Sequence, residues 1–312
     1  MIKVGILGTG FGETHLELFS KTEGFEVVSI FGRNQDKLKT IGEKYNVTTT
    51  TNIVDVIENP DIDMIDICLP TELHSKWAIE GLKHGKHIFC ETPVSCSVEE
   101  ATAIQQAAKR YGKKVFVNLF IKFSTQHHYA VELAKKAEHG KLLGLRSYNR
   151  TSSRWGDLGL QKNIESFHNH MMDFVLEIAG LPKSVTASGV NYDGKSIVTS
   201  VLNYDGLYAV LESNSCLPEC CPFEIGFELL FENGIARFDA LYHEGFEKEE
   251  FNIIANNKSR ELIELDAQNE YEEVLKHILK CLQCGVKSEL IDIDNAIQGV
   301  KLKEMILKSL HL

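Results

Sequence analysis

No stretch of this chain approaches the roughly 20 consecutive apolar residues that a membrane-spanning helix needs. The opening MIKVGILGTG carries no apolar signal core followed by a small-residue cleavage site, and its apolar stretch reads as a strand. Membrane insertion and export are therefore not expected, and the cytoplasm is the expected compartment. Positive charge is also short. Lysine and arginine number 33 against 44 aspartates and glutamates, a net charge of −11. A general nucleic-acid binder needs a basic stripe, so that class is set aside, whereas a small anion held in a local basic pocket is not. Internal repeats and low-complexity linkers are missing too. At 312 residues the length suits two ordinary domains, each able to bury a core without covalent staples.

Eight cysteines are present, but not in a pattern that holds a metal. Cys68, Cys90 and Cys96 sit in or just after apolar strand-like runs and read as small core residues of a reducing compartment. Cys281 and Cys284 form a C-x-x-C at the end of a helix expected over 274–282. Cys216, Cys220 and Cys221 cluster elsewhere. A zinc site wants thiolates converging from two tight knuckles, so both groups read as free thiols and no metal is expected.

What is there begins with alternation. Strand-like runs at 3–7, 26–31, 64–69, 87–90 and 114–117 are separated by helical patterns, among them 35–45, 72–84 and 98–111. Strand–helix alternation implies right-handed crossovers and a parallel sheet. The pattern then changes. A long alternating stretch at 142–153 is followed by one helix at 166–179. Strand-like runs at 183–190, 197–204, 208–214, 223–231, 236–238 and 251–254 come next. Hairpin signals such as Tyr204-Asp205-Gly206 and Glu232-Asn233-Gly234 punctuate them, and a helix at 294–310 ends the chain. The expected fold is α/β: a doubly wound Rossmann domain over 1–120, then an α+β domain with a mostly antiparallel sheet over 121–312. The C-terminal helix has the option of packing back on the first domain.

Gly8-Thr9-Gly10-Phe11-Gly12 follows the first strand and opens a helix. Gly8 permits the tight turn, Gly10 lets backbone amides approach a pyrophosphate, and the helix N-terminus supplies partial positive charge. A standard G-x-G-x-x-G has its third glycine where this chain has Glu13, and Gly12 comes one residue early. An acid at the end of the second strand would select the 2′-hydroxyl of NAD. Here the run is Ser29-Ile30-Phe31-Gly32-Arg33-Asn34, with no acid. Arg33 instead suits a 2′-phosphate, so NADP is favoured over NAD.

The segments GTGFGETH, GRN and LPTELHSKWAIEGLKHGKHIFCETPVSCSVEEA together resemble the glucose–fructose oxidoreductase and inositol dehydrogenase family (Gfo/Idh/MocA). Pro70 and His74 match its T-P-x-x-x-H-like segment. Glu91-Thr92-Pro93 falls where the family carries Glu-Lys-Pro. His170 and Asp173 match its D-x-x-x-H-x-x-D helix. The resemblance implies a cofactor site drawn from Gly8, Thr9, Gly10, Phe11, Gly12, Arg33, Asn34, Leu69, Pro70, His74, Glu91 and Thr92. It implies that the second domain supplies the substrate site above the nicotinamide. It also implies that the open face of the second sheet joins copies of the chain into a homodimer or homotetramer. The reactions it implies are hydride transfers on sugars, polyols and related alcohols or aldehydes.

Two departures bear on chemistry. Thr92 replaces the family lysine, and Ser166 replaces the family aspartate four residues before the histidine. His170 is left as the proton-exchanging group. Thr92 is expected to hydrogen-bond near the nicotinamide. Ser166, one helical turn from His170, is expected to orient its ring. Lys122, a further catalytic candidate, falls where the family often has a basic residue, and Arg154 and Trp155 precede the helix as substrate contacts alongside Asp173. An NAD(P)-dependent oxidoreductase is the first reading. A dinucleotide-binding sensor or regulator with impaired catalysis is the second, since fold alone does not guarantee chemistry.

Overall fold

The computed structural model describes every residue except 153–155, 157, 257–259 and 267. In chain order the first part runs β1 (Ile2–Leu7), α1 (Gly12–Lys21), β2 (Phe25–Phe31), α2 (Gln35–Tyr45), β3 (Thr48–Thr50), α3 (Ile53–Ile57), β4 (Met64–Ile67), α4 (Thr71–Lys83), β5 (His87–Cys90), α5 (Val98–Tyr111) and β6 (Val115–Val117). Next come α6 (Thr125–Lys136), β7 (Leu142–Ser152), α7 (Leu160–Asn163) and α8 (Asn169–Ala179). Then follow β8 (Ser184–Tyr192), β9 (Lys195–Asn203), β10 (Tyr208–Leu217), β11 (Phe223–Phe231), β12 (Gly234–His243), β13 (Phe246–Ala255) and β14 (Glu261–Ile263). Helices α9 (Glu270–Gln283) and α10 (Ile293–Ser309) end the chain.

The chain divides into two compact units, residues 1–120 with 269–300 and residues 121–268 with 301–312. In the first, six parallel strands lie in the order β3-β2-β1-β4-β5-β6. Direction of winding reverses between β1 and β4, and a doubly wound sheet opens its ligand crevice outside the carboxyl ends of the strands at that reversal. Strand β4 is buried along its whole length, the signature of a central parallel strand covered on both faces.

The second unit holds an eight-stranded sheet in the order β14-β13-β12-β11-β7-β10-β9-β8. Its pairs are antiparallel except β7 with β10. One face is buried, and the rings of Phe227, Phe238 and Phe251 pack there with Phe174 of α8 and His127 of α6. Residues alternate in and out along β9 and β10, which is what fixes their register. On the other face Tyr148 lies opposite Glu212 and Gly226. A side chain at Gly226 would sit 2.4 Å from the Tyr148 phenol oxygen, so the ring depends on that glycine.

Several expectations need correction. The second domain is not continuous to 312, because 269–300 belongs with the first unit. The buried stripe of α9, Val274, Leu275, Ile278 and Cys281, belongs with that unit. In addition, Leu279 of α9 lies where a side chain at Gly24 would go, and Val117 N donates to Ile291 O. The helix expected over 166–179 is α8 preceded by a π-helical turn, Ile164–His168. Helix α6, strand β3 and helix α3 were not anticipated. β3 is three threonines, and α6 buries only Ala130, Val131 and Leu133, a sparse apolar stripe.

Candidate functional site

In the first unit the reversal point is built around Gly8. Its φ is +114°, and a Cβ there would stand 2.4 Å from the Cys68 carbonyl oxygen, so β1 and β4 approach as only glycine allows. Gly12 opens α1 and lies close against Ile6 and the Cys68 side chain. It does the close-packing work of the third glycine, one residue early. Glu13, at the usual third-glycine position, instead faces Lys37 and Lys44 of α2 at 3.4 and 3.7 Å. Gly10 is exposed, and an added Cβ would meet nothing within 4 Å. Phe11 at the helix N-cap makes no side-chain cap bond; Glu13 N turns back to Gly10 O at 3.4 Å, and a helix N-terminus of this kind suits an anion.

Thr9 lies over Gly32, whose absent side chain would otherwise stand 2.5 Å from its methyl. This draws the first loop to the end of β2, where Arg33 is exposed. Asn34 caps α2 through Lys37 N, so its side chain already has a structural task. A dinucleotide fits these residues: two loops in contact, a gap at Gly10 and an uncapped helix end.

Behind the crevice lies a polar cluster that the sequence reading did not assemble. His15 is buried on α1. Its Nδ1 lies 2.9 Å from Asp66 Oδ2 and 3.3 Å from Cys68 Sγ, and its Nε2 lies 2.9 Å from Glu91 Oε1. Burial opposes charge on this ring, yet Asp66 and Cys68 hold its pKa well above the ordinary histidine value. Burial likewise opposes ionisation of Glu91. The His15 ring, Asn118 Nδ2 at 2.6 Å and His74 outweigh it and keep the carboxyl below the usual range. His15, Asp66 and Cys68 form the one group with metal-ligand spacing among the described residues. Their separations are those of hydrogen bonds, and they are read as such.

His74 on α4 is held inside the fold. It is 1 % exposed, with Nδ1 2.8 Å from Pro93 O and Nε2 2.6 Å from Leu69 O. Leu69 and Pro70, which precede α4, and Glu91 and Thr92, which follow β5, are thus tied through one ring. Tyr271 of α9, unmarked in the sequence, lies beside Phe11 and stacks on Phe120.

The second unit brings together another set. His170 is half-buried on α8, with Asp173 and Glu177 three and seven residues on, along one helical face. Lys122, 9 % exposed, places Nζ 4.0 Å from Glu177 Oε2. Burial pushes Asp173 up to about 7, with Lys122 opposing and Glu177 adding to the rise. Its Oδ2 is buried without a hydrogen-bond partner among the described residues. His127 is pushed down to about 3 by burial and then by His170. Ser166 is exposed within the π-helical turn. That turn alters the four-residue alignment on which its pairing with His170 was expected. His168 is a core residue, its two nitrogens bonded to Ser213 and Ser200 at 2.9 Å each. Arg154 and Trp155 lie outside the described residues. The eight cysteines are free thiols.

Residues 2–119 match the model of the oxidoreductase family with an NAD-binding Rossmann fold. It is this N-terminal part, residues 2–119, that is similar to the Gfo/Idh/MocA oxidoreductase family with its NAD-binding Rossmann fold. Among curated relatives, an uncharacterized oxidoreductase of Streptococcus pneumoniae is 24 % identical over 200 residues, covering 61 % of this chain and 54 % of that protein. A 4-carboxy-2-hydroxymuconate-6-semialdehyde dehydrogenase of Sphingobium is 28 % identical over 130 residues, 41 % of each. The chain therefore spans about half the length, or less, of these curated relatives. Among solved structures, an Agrobacterium radiobacter oxidoreductase in complex with NAD+, L-tartaric acid and magnesium superposes with a TM-score of 0.86 at 16 % identity, covering 99 % of this chain and 96 % of that one. Biliverdin reductase from Synechocystis, with biliverdin and NADP+, gives 0.83 at 17 %, covering 100 % and 99 %. At such identities the likeness is one of fold.

Proposed function

We propose that the chain is an NAD(P)-dependent oxidoreductase that exchanges a hydride with a sugar, polyol or related alcohol or aldehyde, and that it favours NADP. The observation that carries this reading is the β1–α1 loop: a glycine pressed on the Cys68 carbonyl, an open position at Gly10 and an uncapped helix end, all at the sheet's reversal. The nicotinamide, when bound, supplies the hydride chemistry. The chain's residues supply the rest. Arg33 pairs with the 2′-phosphate, and the Thr92 hydroxyl donates a hydrogen bond near the nicotinamide. His170 takes the hydroxyl proton on oxidation or returns it on reduction. Lys122 and Asp173 flank that exchange with a buried cation and a carboxyl whose pKa stands at about 7. No observation favours the sensor reading. Association through the open face of the β8–β14 sheet, as a homodimer or homotetramer, and a cytoplasmic location belong to the same proposal.

The test is direct. NADPH and NADH fluorescence titrations, followed by a screen of polyols, sugars and aldehydes, should find tight NADPH binding and turnover of at least one CH–OH or carbonyl compound. A protein that binds NADPH and never oxidises it across that panel would overturn the enzymatic reading.

A further inference from the structure

A charge balance lies behind the cofactor crevice. A carbonyl oxygen only accepts a hydrogen bond, so a ring with both nitrogens on carbonyls must carry hydrogens on both. His74 is such a ring, on Leu69 O and Pro93 O. His15 has a carboxylate at each nitrogen, Asp66 on one side and Glu91 on the other. Isolated carboxylates are costly to bury without counter-charge. Asp66 is 0 % exposed and the Glu91 side chain 18 %. Two other titratable groups face His15, Cys68 at the end of β4 and Tyr271 of α9, and burial pushes both upward, so both stay neutral. What remains is two rings and two carboxyl groups, equal in number. His15 reaches from α1 to the ends of β4 and β5, and His74 ties the loops that follow those two strands.

We propose that His15 and His74 are positioning residues, two buried imidazolium ions that clamp the segments around Leu69-Pro70 and Glu91-Thr92-Pro93 in the form that receives the dinucleotide. The clamp rests on the cofactor reading given above. It also sets an alkaline limit. A ring whose folded pKa is raised contributes its stabilisation fully below the unfolded value of about 6.5 and loses it as pH rises through the folded value. The raised pKa of His15 puts that loss on the alkaline side. NADPH affinity should then fall at high pH before any chemistry is measured.

Nitrogen-15 NMR of the ring nitrogens in the cofactor-free wild type at pH 7.5 should find His15 and His74 each protonated at both positions. A neutral ring at either residue overturns the proposal, and this needs no variant to fold. His74→Gln keeps two N–H donors but no charge. It should speed amide exchange in residues 69–75 and 91–96 and weaken NADPH binding by roughly tenfold or more, since removing one partner of a buried charge set leaves the others uncompensated. His15→Gln should do the same and abolish the alkaline loss. The charge-balanced pair His15→Gln with Asp66→Asn should bind NADPH better than His15→Gln alone. A folded His74→Gln with wild-type exchange and wild-type NADPH affinity would also overturn the clamp. A wild type that binds neither NADPH nor NADH sinks the cofactor reading instead, and the clamp is then judged on ring protonation and amide exchange.

Discussion

Gly8 and Gly10 sit two residues apart and differ in what a side chain would meet. At Gly8 a methyl runs into the Cys68 carbonyl with φ in the left-handed region, so Gly8→Ala should cost stability by about 1–3 kcal/mol or more, read as a lowered thermal midpoint. At Gly10 a side chain meets nothing of the protein. Gly10→Val should keep the wild-type midpoint and lose dinucleotide binding; unchanged NADPH affinity would move the cofactor elsewhere. Arg33→Ala should erase the NADP preference, since a charge-assisted pair to phosphate is worth on the order of 1.5–3 kcal/mol, roughly ten- to hundredfold. Wild-type protein that binds NADH more tightly than NADPH would refute that preference outright. His170→Ala should lower turnover about 10²–10⁴-fold with NADPH affinity nearly intact. At this scale the sequence showed individual residues well and their partnerships poorly. His15 and His74 stand in recognisable segments, but that one spans Asp66 and Glu91 while the other spans two carbonyls depends on loop paths no local pattern encodes.

Among the elements, the β-α alternation of the first unit was legible because buried parallel strands read as short apolar runs between amphipathic helices. Helix α5 spans the expected 98–111; in the structure Ser97 caps its start, its side chain accepting from Glu100 N, and Gly112 in the left-handed region ends it. The π-helical turn before α8 was not legible. It arises where Asn163 and His168 are satisfied by serines of β9 and β10, a tertiary demand. That segment carries a pH signature of two signs. Burial pushes His168 down to about 3. Its contribution to stability is present above the unfolded value of about 6.5 and is lost as pH falls below it. Asp173, raised to about 7, contributes fully below its unfolded value of about 3.8 and loses that as pH climbs to 7. Asp173→Asn should therefore raise the thermal midpoint at pH 8, with the gain vanishing near pH 4. An equal gain at both pH values would show that the carboxyl does not titrate where its burial places it.

For the whole molecule, the open face of the second sheet carries ion pairs, Arg150 with Glu212 and Glu224 and Arg237 with Glu228. They flank Tyr148, which bonds Asp239. Gly226→Ala should displace that ring and, if copies associate through this face, shift the protein toward monomer in sedimentation velocity. An unchanged assembly would place the association elsewhere. The discontinuity of the first unit reaches further. Val117 of β6, at the sheet's edge, donates to Ile291, and Phe116 bridges Asp292. During synthesis the ribosome delivers that cover some 170 residues after the edge it protects, a wait in which nearly the whole second unit is made. The nascent Rossmann half meets the cell with an uncovered strand edge, the kind of surface that pairs with other chains. A fragment ending at Phe120 should accordingly aggregate, and adding residues 269–300 on a flexible linker should restore its solubility.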